Sequence, residues 1–468
     1  MSTNDQTLRL AVIGHTNTGK TSVLRTLLRD ASLGEVVDEA GTTRTNASYS
    51  LMVEGREMAR LWDTPGLENA AAALRALREH DADSTTAAEA LQRLIDAASG
   101  DLRRELAPLD ALKRAHAGLL VFDARESPKA KHWEEHELLR RCGRPLVAVL
   151  NCVNTDRTRT DAWDQALREN GLHAVVRFDA WAADERDASK LFVKIREMLG
   201  DDWHAAIDRI IKGRAAAERR RLTAMCDAVA ALAVDAASYR LKASRDDLDR
   251  AGEELRSDLA TAWSETLEAL ASLHGVKVDQ VRSVEAELDR ALSEESGPSA
   301  TDTAIAGGAT ALAALVGGAA AGAAHGGVVD LGTGGLTLGL GVVLGGAAGL
   351  AIGGREIGRQ ALMRARGEVE IGYSREAVAA VVARGMWLVD RLRLYGLASE
   401  RPIQSPPDFE SGGDRAKRVK SAIDAARRKR GWSRLTPSLR RTRGPRPDAS
   451  RDAIERLAAK LLDTLPSC

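Results

Sequence analysis

The sequence has few cysteines, no net charge and no N-terminal leader pattern. Its four cysteines, Cys142, Cys152, Cys226 and Cys468, lie far apart and form no C-x-x-C pair. This spacing argues against a disulfide framework or a zinc site and favours a reducing compartment. Lys+Arg and Asp+Glu each total 67, so the overall charge indicates no preference for nucleic acid or for an anionic surface. The polar residues 1–7 lack the basic and apolar regions of a signal peptide, and we therefore expect the first domain to stay in the cytoplasm.

The feature that the sequence does contain, close to its start, is a complete phosphate loop. Residues 14–21 read G-H-T-N-T-G-K-T, follow an apolar run at 10–13 and precede an amphipathic helical pattern at 22–29. The two glycines allow a tight turn whose N–H groups converge on a polyphosphate at the positive end of the helix. Lys20 is expected to reach the β- and γ-phosphates, and the Thr21 hydroxyl to ligate Mg²⁺. The predicted nucleotide contacts from this stretch are Gly14, His15, Thr16, Asn17, Thr18, Gly19, Lys20, Thr21 and Ser22.

Around this loop, residues 8–199 alternate apolar strands with amphipathic helices, which is typical of a doubly wound α/β domain with a mostly parallel sheet. The predicted strands are 9–13, 48–53, 57–63, 117–123, 145–150 and 173–178. The segment 69–116 indicates an insertion of two or three helices at 71–80, 85–98 and 102–113. Ordinary helical cover on the sheet and a regulatory lid both fit this insertion, because periodicity does not separate them.

The remainder of the chain is predicted to be an all-α domain. Charged amphipathic patterns at 203–232, 233–270 and 278–293, with breaks near Gly252 and Gly275, indicate a helical bundle or stalk. Further helices are predicted at 361–393 and 449–465. The predicted domains are 1–200 for the α/β domain, 201–300 for the bundle or stalk, 301–358 for a Gly/Ala-rich helical hairpin, 359–400 for a helical return, and 401–468 for a Pro-containing linker, a basic stretch and a final helix.

The hairpin prediction rests on an abrupt change of composition. No formally charged residue occurs at 303–329 or at 331–354, and each stretch exceeds the roughly 20 residues that cross a bilayer as a helix. Glycines recur at every fourth position, which allows two helices to approach closely in a membrane. Arginines follow the second stretch at once and favour a cytoplasmic end there. The alternative is a glycine-lined hairpin buried in a soluble helical domain, which the central Asp330 and the weak hydropathy favour.

A basic stretch at 415–446 follows the linker. Such a block can bind the phosphates of lipid or of nucleic acid, and beside a membrane hairpin anionic lipid is the nearer partner. A solvated tail is the competing interpretation, because Trp432 is the only aromatic residue in the stretch and single-strand binding usually needs several stacking platforms.

A second nucleotide-binding element is the D-T-P-G sequence at 63–66, at the end of a predicted strand. Asp63 is expected to hold Mg²⁺ through water, and the Gly66 N–H to contact the γ-phosphate, so that this loop moves when the phosphate leaves. Between the two elements lies A-G-T-T-R at 40–44, in which Thr43 is expected to complete the Mg²⁺ shell.

Catalysis in such a site is mostly positioning and neutralisation of charge. Leu67 follows Gly66 and is apolar, so it cannot orient the attacking water. Glu68 is a candidate for that role, and an exposed structural carboxylate is the other interpretation. His15 is read as a residue at the rim of the phosphate loop rather than as a base. The catalytic candidates are therefore Lys20, Thr43, Gly66 and Glu68.

These elements resemble the Era-type and tRNA-modification-type bacterial GTPases of the translation-factor class, through Asn17, the G-T-T-R at 41–44 and the D-T-P-G at 63–66. The resemblance implies that Asn17 ligates a K⁺ ion that assists hydrolysis. The runs at 121–129 and 145–151, with the Gly-rich hairpin, look like a bacterial group in which an Era-like GTPase is fused to a C-terminal domain of unknown function. The C-terminal domain of that group has no known activity, so the resemblance implies none for the second half of this chain.

The sequence departs from the family in the element that reads the base. The family pattern is N-K-x-D, whose Asp accepts two hydrogen bonds from guanine, whereas residues 151–154 read N-C-V-N. Asn151 and Asn154 are the predicted base contacts, and the carboxylate is replaced by the amide of Asn154. Residues 179–181 stand near the place of the second base-contacting loop. The lost charged contact is expected to relax the selectivity for guanine.

The sequence thus favours a Mg²⁺-dependent GTPase that hydrolyses GTP to GDP and phosphate and acts as a nucleotide switch at the inner face of the cell membrane. The expected partners are GTP and GDP, membrane lipid, and a second copy of the chain on nucleotide binding. The first alternative is an Era-like factor for RNA or ribosome assembly that uses the basic stretch on nucleic acid. The second alternative is a nucleotide-binding scaffold with little hydrolysis or relaxed base specificity.

Overall fold

The computed structural model describes residues 6–30, 33, 47–81, 86–182, 185–244, 247–281, 368–373, 375–399, 402–403, 414–435 and 446–465. The segment 40–44 with Thr43, the Gly/Ala-rich hairpin at 301–358, and residues 436–445 of the basic stretch lie outside these ranges. The predictions made for them therefore stay predictions. Among the residues that are described, no helix is long and apolar enough to cross a membrane.

A six-stranded sheet forms the centre of the N-terminal part, in the order β2-β3-β1-β4-β5-β6. Its strands are β1 (Leu8–Ile13), β2 (Ala47–Val53), β3 (Arg56–Asp63), β4 (Ala117–Asp123), β5 (Leu146–Asn151) and β6 (Val175–Arg177). All neighbouring pairs are parallel except β2 and β3, which form an antiparallel hairpin. Each of the six strands predicted from the sequence is present.

The burial of each strand explains its position in the sheet. Every residue of β4 and β5 is buried, as expected for central parallel strands covered by helices on both faces. By contrast, β2 alternates between more exposed and less exposed residues at the edge of the sheet. Glu54 and Gly55 join β2 to β3 with φ angles of 52° and 77°, which is the left-handed backbone that a two-residue hairpin turn requires.

Helices cover both faces of this sheet. They are α1 (Lys20–Leu28), α2 (Ala70–Asp81), α3 (Ala87–Ala97), α4 (Gly100–Arg114), α5 (Ala130–Arg140), α6 (Thr160–Glu169) and α7 (Glu185–Met198). The segment 69–116 is thus three helices, within the prediction of two or three.

Alternate residues of β1 belong to two separate cores, because successive side chains of a strand point to opposite faces. One core joins Leu8, Leu10 and Val12 to residues of α1 and α7. The other joins Ala11 and Ile13 to residues of α2, α3, α4, α5 and α6. This arrangement confirms the predicted doubly wound α/β fold.

The chain divides into two compact units. One comprises the described residues of Met1–Arg219 and Leu394–Glu400, and the other those of Arg220–Arg393 and Arg401–Ser467. The remaining helices are α8 (His204–Ser238), α9 (Leu248–His274), α10 (Arg375–Arg393), α11 (Asp414–Arg427) and α12 (Asp448–Leu462). Short 3-10 turns lie at Asp201–Trp203, Val278–Gln280 and Arg430–Trp432.

The second unit is helical, as predicted, except for a two-stranded antiparallel ribbon of β7 (Leu241–Ser244) and β8 (Glu368–Ile371). The ribbon corrects two helix predictions. A single helix over 233–270 is wrong, because α8 ends at Ser238 and α9 starts only at Leu248. A helix over 361–393 is wrong in its first part, because β8 precedes α10.

Aromatic side chains next to the ribbon connect it to α9. The rings of Tyr239 and Tyr373 stack with centroids 5.7 Å apart. The Tyr239 hydroxyl donates to Asp258 at 2.5 Å, and the Tyr373 hydroxyl donates to the Leu255 carbonyl at 2.6 Å. Both tyrosines are thereby fixed to α9. The break predicted at Gly252 is also wrong, because Gly252 lies inside α9, whereas Gly275 ends that helix with a φ of 91°.

Candidate functional site

The phosphate loop lies between the carboxyl end of β1 and the first turn of α1. Lys20 begins α1 and is 8% exposed. Its ammonium group donates to the carbonyl oxygens of Gly14 at 3.2 Å and His15 at 2.9 Å. The lysine therefore links the end of the phosphate loop to its beginning. Burial lowers the pKa of Lys20 to about 8, and the negative charge of Asp63 opposes that shift. The loop thus holds a buried cation at the place where phosphates are expected.

Gly19 shows why the loop requires glycine. Its φ is 85°, and a Cβ at this position would lie 2.3 Å from the Nδ2 atom of Asn151. Both the left-handed backbone and the close approach exclude a side chain. Asn17 also has a left-handed backbone, with a φ of 65°, and the Thr18 hydroxyl donates to the His15 carbonyl at 3.0 Å. Ser22 lies half-buried in the first turn of α1.

Two oxygen-bearing side chains meet beside Lys20. The Thr21 hydroxyl donates to Oδ2 of Asp63 at 2.7 Å. Asp63 ends β3 and is 2% exposed, and its Oδ1 atom has no hydrogen-bond partner among the described residues. Burial raises the pKa of Asp63, although the Thr21 hydroxyl and Lys20 oppose the shift. A buried carboxylate oxygen without a partner is costly, and a hydroxyl with a carboxylate is a donor set that suits hydrated Mg²⁺. The residues therefore fit this cation.

The loop after β3 packs directly on the phosphate loop. A Cβ on Gly66 would lie 2.3 Å from the Thr16 hydroxyl oxygen and 2.6 Å from the Thr16 nitrogen, so only glycine permits this contact. The Leu67 N–H donates to the Gly14 carbonyl at 3.3 Å, and the Leu67 side chain is fully buried. Glu68 is exposed and accepts a hydrogen bond from the Thr16 hydroxyl at 3.0 Å. The two loops are thus coupled through backbone and side-chain hydrogen bonds.

The predicted base-reading residues lie at the carboxyl ends of β5 and β6. Asn151 is 2% exposed, and its amide group donates to the Thr18 carbonyl at 3.1 Å and accepts from the Ala180 N–H at 3.0 Å. Asn151 therefore ties the phosphate loop to the loop after β6. Cys152 has a φ of 58°, and Asn154 is exposed. The Ala180 hydrogen bond brings the loop at 179–181 beside Asn151, and a contact of these residues with a base stays a prediction.

Sequence reasoning missed one residue at this site. Glu135 of α5 is 2% exposed, and its Oε1 atom lies 2.7 Å from Nδ1 of His15. Burial raises the pKa of Glu135 to about 8 and lowers the pKa of His15, so both shifts favour an uncharged pair at neutral pH. No sequence signal marks this glutamate, because a carboxylate on a surface helix is normally solvated.

The fold and this site are those of a P-loop nucleotide-binding protein. A family model described as "50S ribosome-binding GTPase" matches residues 9–152. A second model, "Domain of unknown function (DUF3482)", matches residues 164–459, which is more than half of the chain. The chain therefore belongs to the DUF3482 family and carries a GTPase domain at its N-terminus. This organisation agrees with the predicted fusion of a GTPase to a C-terminal domain of unknown function.

Several solved structures are similar to part of the chain. An Era variant of Aquifex aeolicus bound to GDP and aluminium fluoride is 18% identical, with a TM-score of 0.30 over 41% of this chain and 57% of that one. Era in complex with MgGDPNP and a segment of 16S ribosomal RNA is 18% identical, with a TM-score of 0.30 over 42% and 58%.

A probable GTP-binding protein, engB, is 14% identical, with a TM-score of 0.27 over 40% of this chain and 99% of that one. These values are too low to carry an inference about function. The chain spans little more than half of the two Era structures. A search of curated proteins found no match.

Proposed function

We propose that the chain hydrolyses GTP to GDP and phosphate with Mg²⁺ and acts as a nucleotide switch. The observation that carries the proposal is that the buried Lys20 ammonium group lies beside the hydrogen-bonded pair of Thr21 and Asp63. The Oδ1 atom of Asp63 has no hydrogen-bond partner among the described residues. The match of residues 9–152 to a GTPase family supports it. Phosphate binding would replace the loop carbonyls as partners of Lys20.

The role of each residue follows from its place. Lys20 binds and neutralises the β- and γ-phosphates, while the N–H groups of the phosphate loop orient them. Thr21 and Asp63 would hold Mg²⁺, which supplies charge neutralisation on the phosphate oxygens. We assign Thr43, which lies outside the described residues, to the same shell. Gly66 is assigned to the γ-phosphate because its loop already rests on Thr16.

Hydrolysis is proposed to be slow. The Leu67 side chain has no polar atom and is fully buried, so it cannot orient water. Glu68 accepts a hydrogen bond from the Thr16 hydroxyl and is the residue that we propose for that role. Asn17 is proposed as a K⁺ ligand, which predicts faster turnover in K⁺ than in Na⁺. A scaffold that binds nucleotide with little turnover is the alternative that the buried Leu67 favours.

The switch is proposed to act at the inner face of the cell membrane, through the two uncharged stretches at 303–329 and 331–354. Lipid is the proposed partner of those stretches, and a homodimer is proposed to form on nucleotide binding. A second candidate function is an Era-like role on RNA or the ribosome. The basic stretch at 415–446 favours it, as does the name of the matching family, 50S ribosome-binding GTPase.

Turnover of GTP and of ATP, each in K⁺ and in Na⁺, tests the hydrolysis proposal. The full chain is compared with Lys20→Ala and with a matched control, Lys190→Ala, whose side chain is exposed and pairs with Asp187. We expect turnover of GTP that is lost in Lys20→Ala and kept in the control. If Lys20→Ala turns over GTP at the wild-type rate, the activity does not come from this site.

Fractionation separates the two candidate functions. The membrane proposal predicts that the full chain sediments with membranes and is released by detergent. If the chain is instead fully soluble without detergent, and sediments with ribosomes once membranes have been removed, the Era-like role is favoured and the membrane proposal is refuted.

A further inference from the structure

The buried carboxylate of Asp179 lies beside the predicted base-reading residues, and the proposed function assigns it no role. Asp179 follows β6 and is 4% exposed. Its Oδ2 atom accepts the Asn154 N–H at 2.8 Å, and its Oδ1 atom accepts the Trp181 N–H at 3.0 Å. The carboxylate therefore lies between the loops that follow β5 and β6, at the carboxyl edge of the sheet, where this class of fold binds its ligands.

The carboxylate of Asp179 retains the capacity to accept further hydrogen bonds. An ionised carboxylate offers about four acceptor positions, and the two hydrogen bonds above occupy one on each oxygen. The nearby guanidinium group of Arg125 is paired with both oxygens of Asp123, at 2.6–3.1 Å. Arg125 thus makes its side-chain hydrogen bonds to Asp123 rather than to Asp179, and its guanidinium carbon lies 5.7 Å from the centroid of the Trp181 ring.

The position of Asp179 is tied to the phosphate loop through its neighbour. The Ala180 N–H donates to Asn151, and Asn151 donates to Thr18 in that loop. A base attached to phosphates in the loop would therefore meet the segment that carries Asp179. The same segment contacts residue 154, where the expected carboxylate is replaced by an amide.

We propose that Asp179 reads the guanine base, supplying from the loop after β6 the carboxylate that is missing at Asn154. This inference rests on the proposed function. The edge of guanine presents two donors side by side, N1–H and the N2 amino group, and a carboxylate accepts from both. Adenine presents an acceptor in place of N1–H, and xanthine presents an oxygen in place of the amino group, so a carboxylate disfavours both bases.

The competing assignment is that Asn154 itself reads the base. An amide donates through its nitrogen and accepts through its oxygen, which matches the N1–H and O2 of xanthine rather than the two donors of guanine. The two assignments therefore predict opposite preferences between guanine and xanthine. This difference makes the proposal testable on the unmodified chain.

The experiment measures the affinities of the full chain for GDP, IDP, XDP and ADP by isothermal titration calorimetry with Mg²⁺. Because a lost charged hydrogen bond weakens binding about tenfold to one hundredfold, we expect GDP to bind at least about tenfold more tightly than the other three. Asp179→Asn should lower the ratio of GDP to XDP affinity by a similar factor. The matched control is Asp156→Asn, which removes an exposed carboxylate from the loop after β5. It should leave the ratio unchanged.

A second variant keeps the test decisive if Asp179→Asn fails to fold, which circular dichroism would show. In Asn154→Asp the guanine donors are already satisfied by Asp179, so the GDP to XDP ratio should change less than about threefold. A tenfold rise in that ratio, tighter binding of XDP than of GDP by the wild type, or an unchanged ratio in a folded Asp179→Asn would each overturn the inference. Failure of the proposed function looks different, because then none of the four nucleotides binds, or Lys20→Ala binds them as well as the wild type.

Discussion

Asn151 joins three parts of the nucleotide site, and its removal makes a quantitative prediction. In Asn151→Ala the Ala180 N–H loses its acceptor and the Thr18 carbonyl loses its donor, and both hydrogen bonds are buried. A buried polar group left without a partner costs about 1–3 kcal/mol. We therefore expect the loop after β6 to open more readily, with exchange of the Ala180 amide accelerated roughly 5- to 150-fold.

Hydrogen–deuterium exchange followed by mass spectrometry measures this effect on the peptide that contains Ala180. The matched control is Asn170→Ala, which removes one half-buried local hydrogen bond to the Ala166 carbonyl on α6. The control should leave exchange at Ala180 unchanged. If Asn151→Ala also leaves it unchanged, Asn151 does not hold the loop after β6, and the connection from the phosphate loop to Asp179 fails with it.

Three further predictions concern the same site. The pKa of Lys20 is about 8, and phosphate binds the charged form of the lysine. The affinity for GDP should therefore fall as pH rises above about 8, and the affinity of Lys20→Ala for GDP should not show this trend. Because the folded-state pKa of Glu135 is raised to about 8 from 4.5, the contribution of Glu135 to wild-type stability should fall as pH rises between these values. Glu135→Gln should therefore unfold at a higher temperature than the wild type near pH 8.5 and not near pH 5. Gly66→Ala, whose Cβ would lie 2.6 Å from the Thr16 nitrogen, should weaken binding of a GTP analogue at least about tenfold with a smaller effect on GDP.

The sheet could be predicted because its signals are local. The apolar runs of β1, β4 and β5 are buried on both faces, and such runs stand out in the sequence without knowledge of their neighbours. The phosphate loop and the D-T-P-G element are likewise short and contiguous. Their glycines are required by contacts, such as that of Gly66 with Thr16, that the motif already implies.

The failures at the ribbon, at Glu135 and at Asp179 depend on contacts between distant residues. The pairing of β7 with β8 joins segments more than 100 residues apart, and helical periodicity in each segment does not reveal it. The burial of Glu135 against His15 depends on how α5 packs on the sheet. The sequence marks Asp179 only as part of the second base-contacting loop, because its hydrogen bond to the Asn154 N–H forms between two loops.

The measurement that tests the central claim most directly is the equilibrium binding of Mg²⁺–GDP to the full chain by titration calorimetry, with Lys20→Ala and Lys190→Ala measured beside it. Removal of the buried ammonium group eliminates a charge-assisted contact to phosphate, which predicts a loss of at least about tenfold to one hundredfold in affinity. The exposed Lys190 should have no effect. Equal affinities in all three proteins would contradict the assignment of residues 14–21 as the nucleotide site.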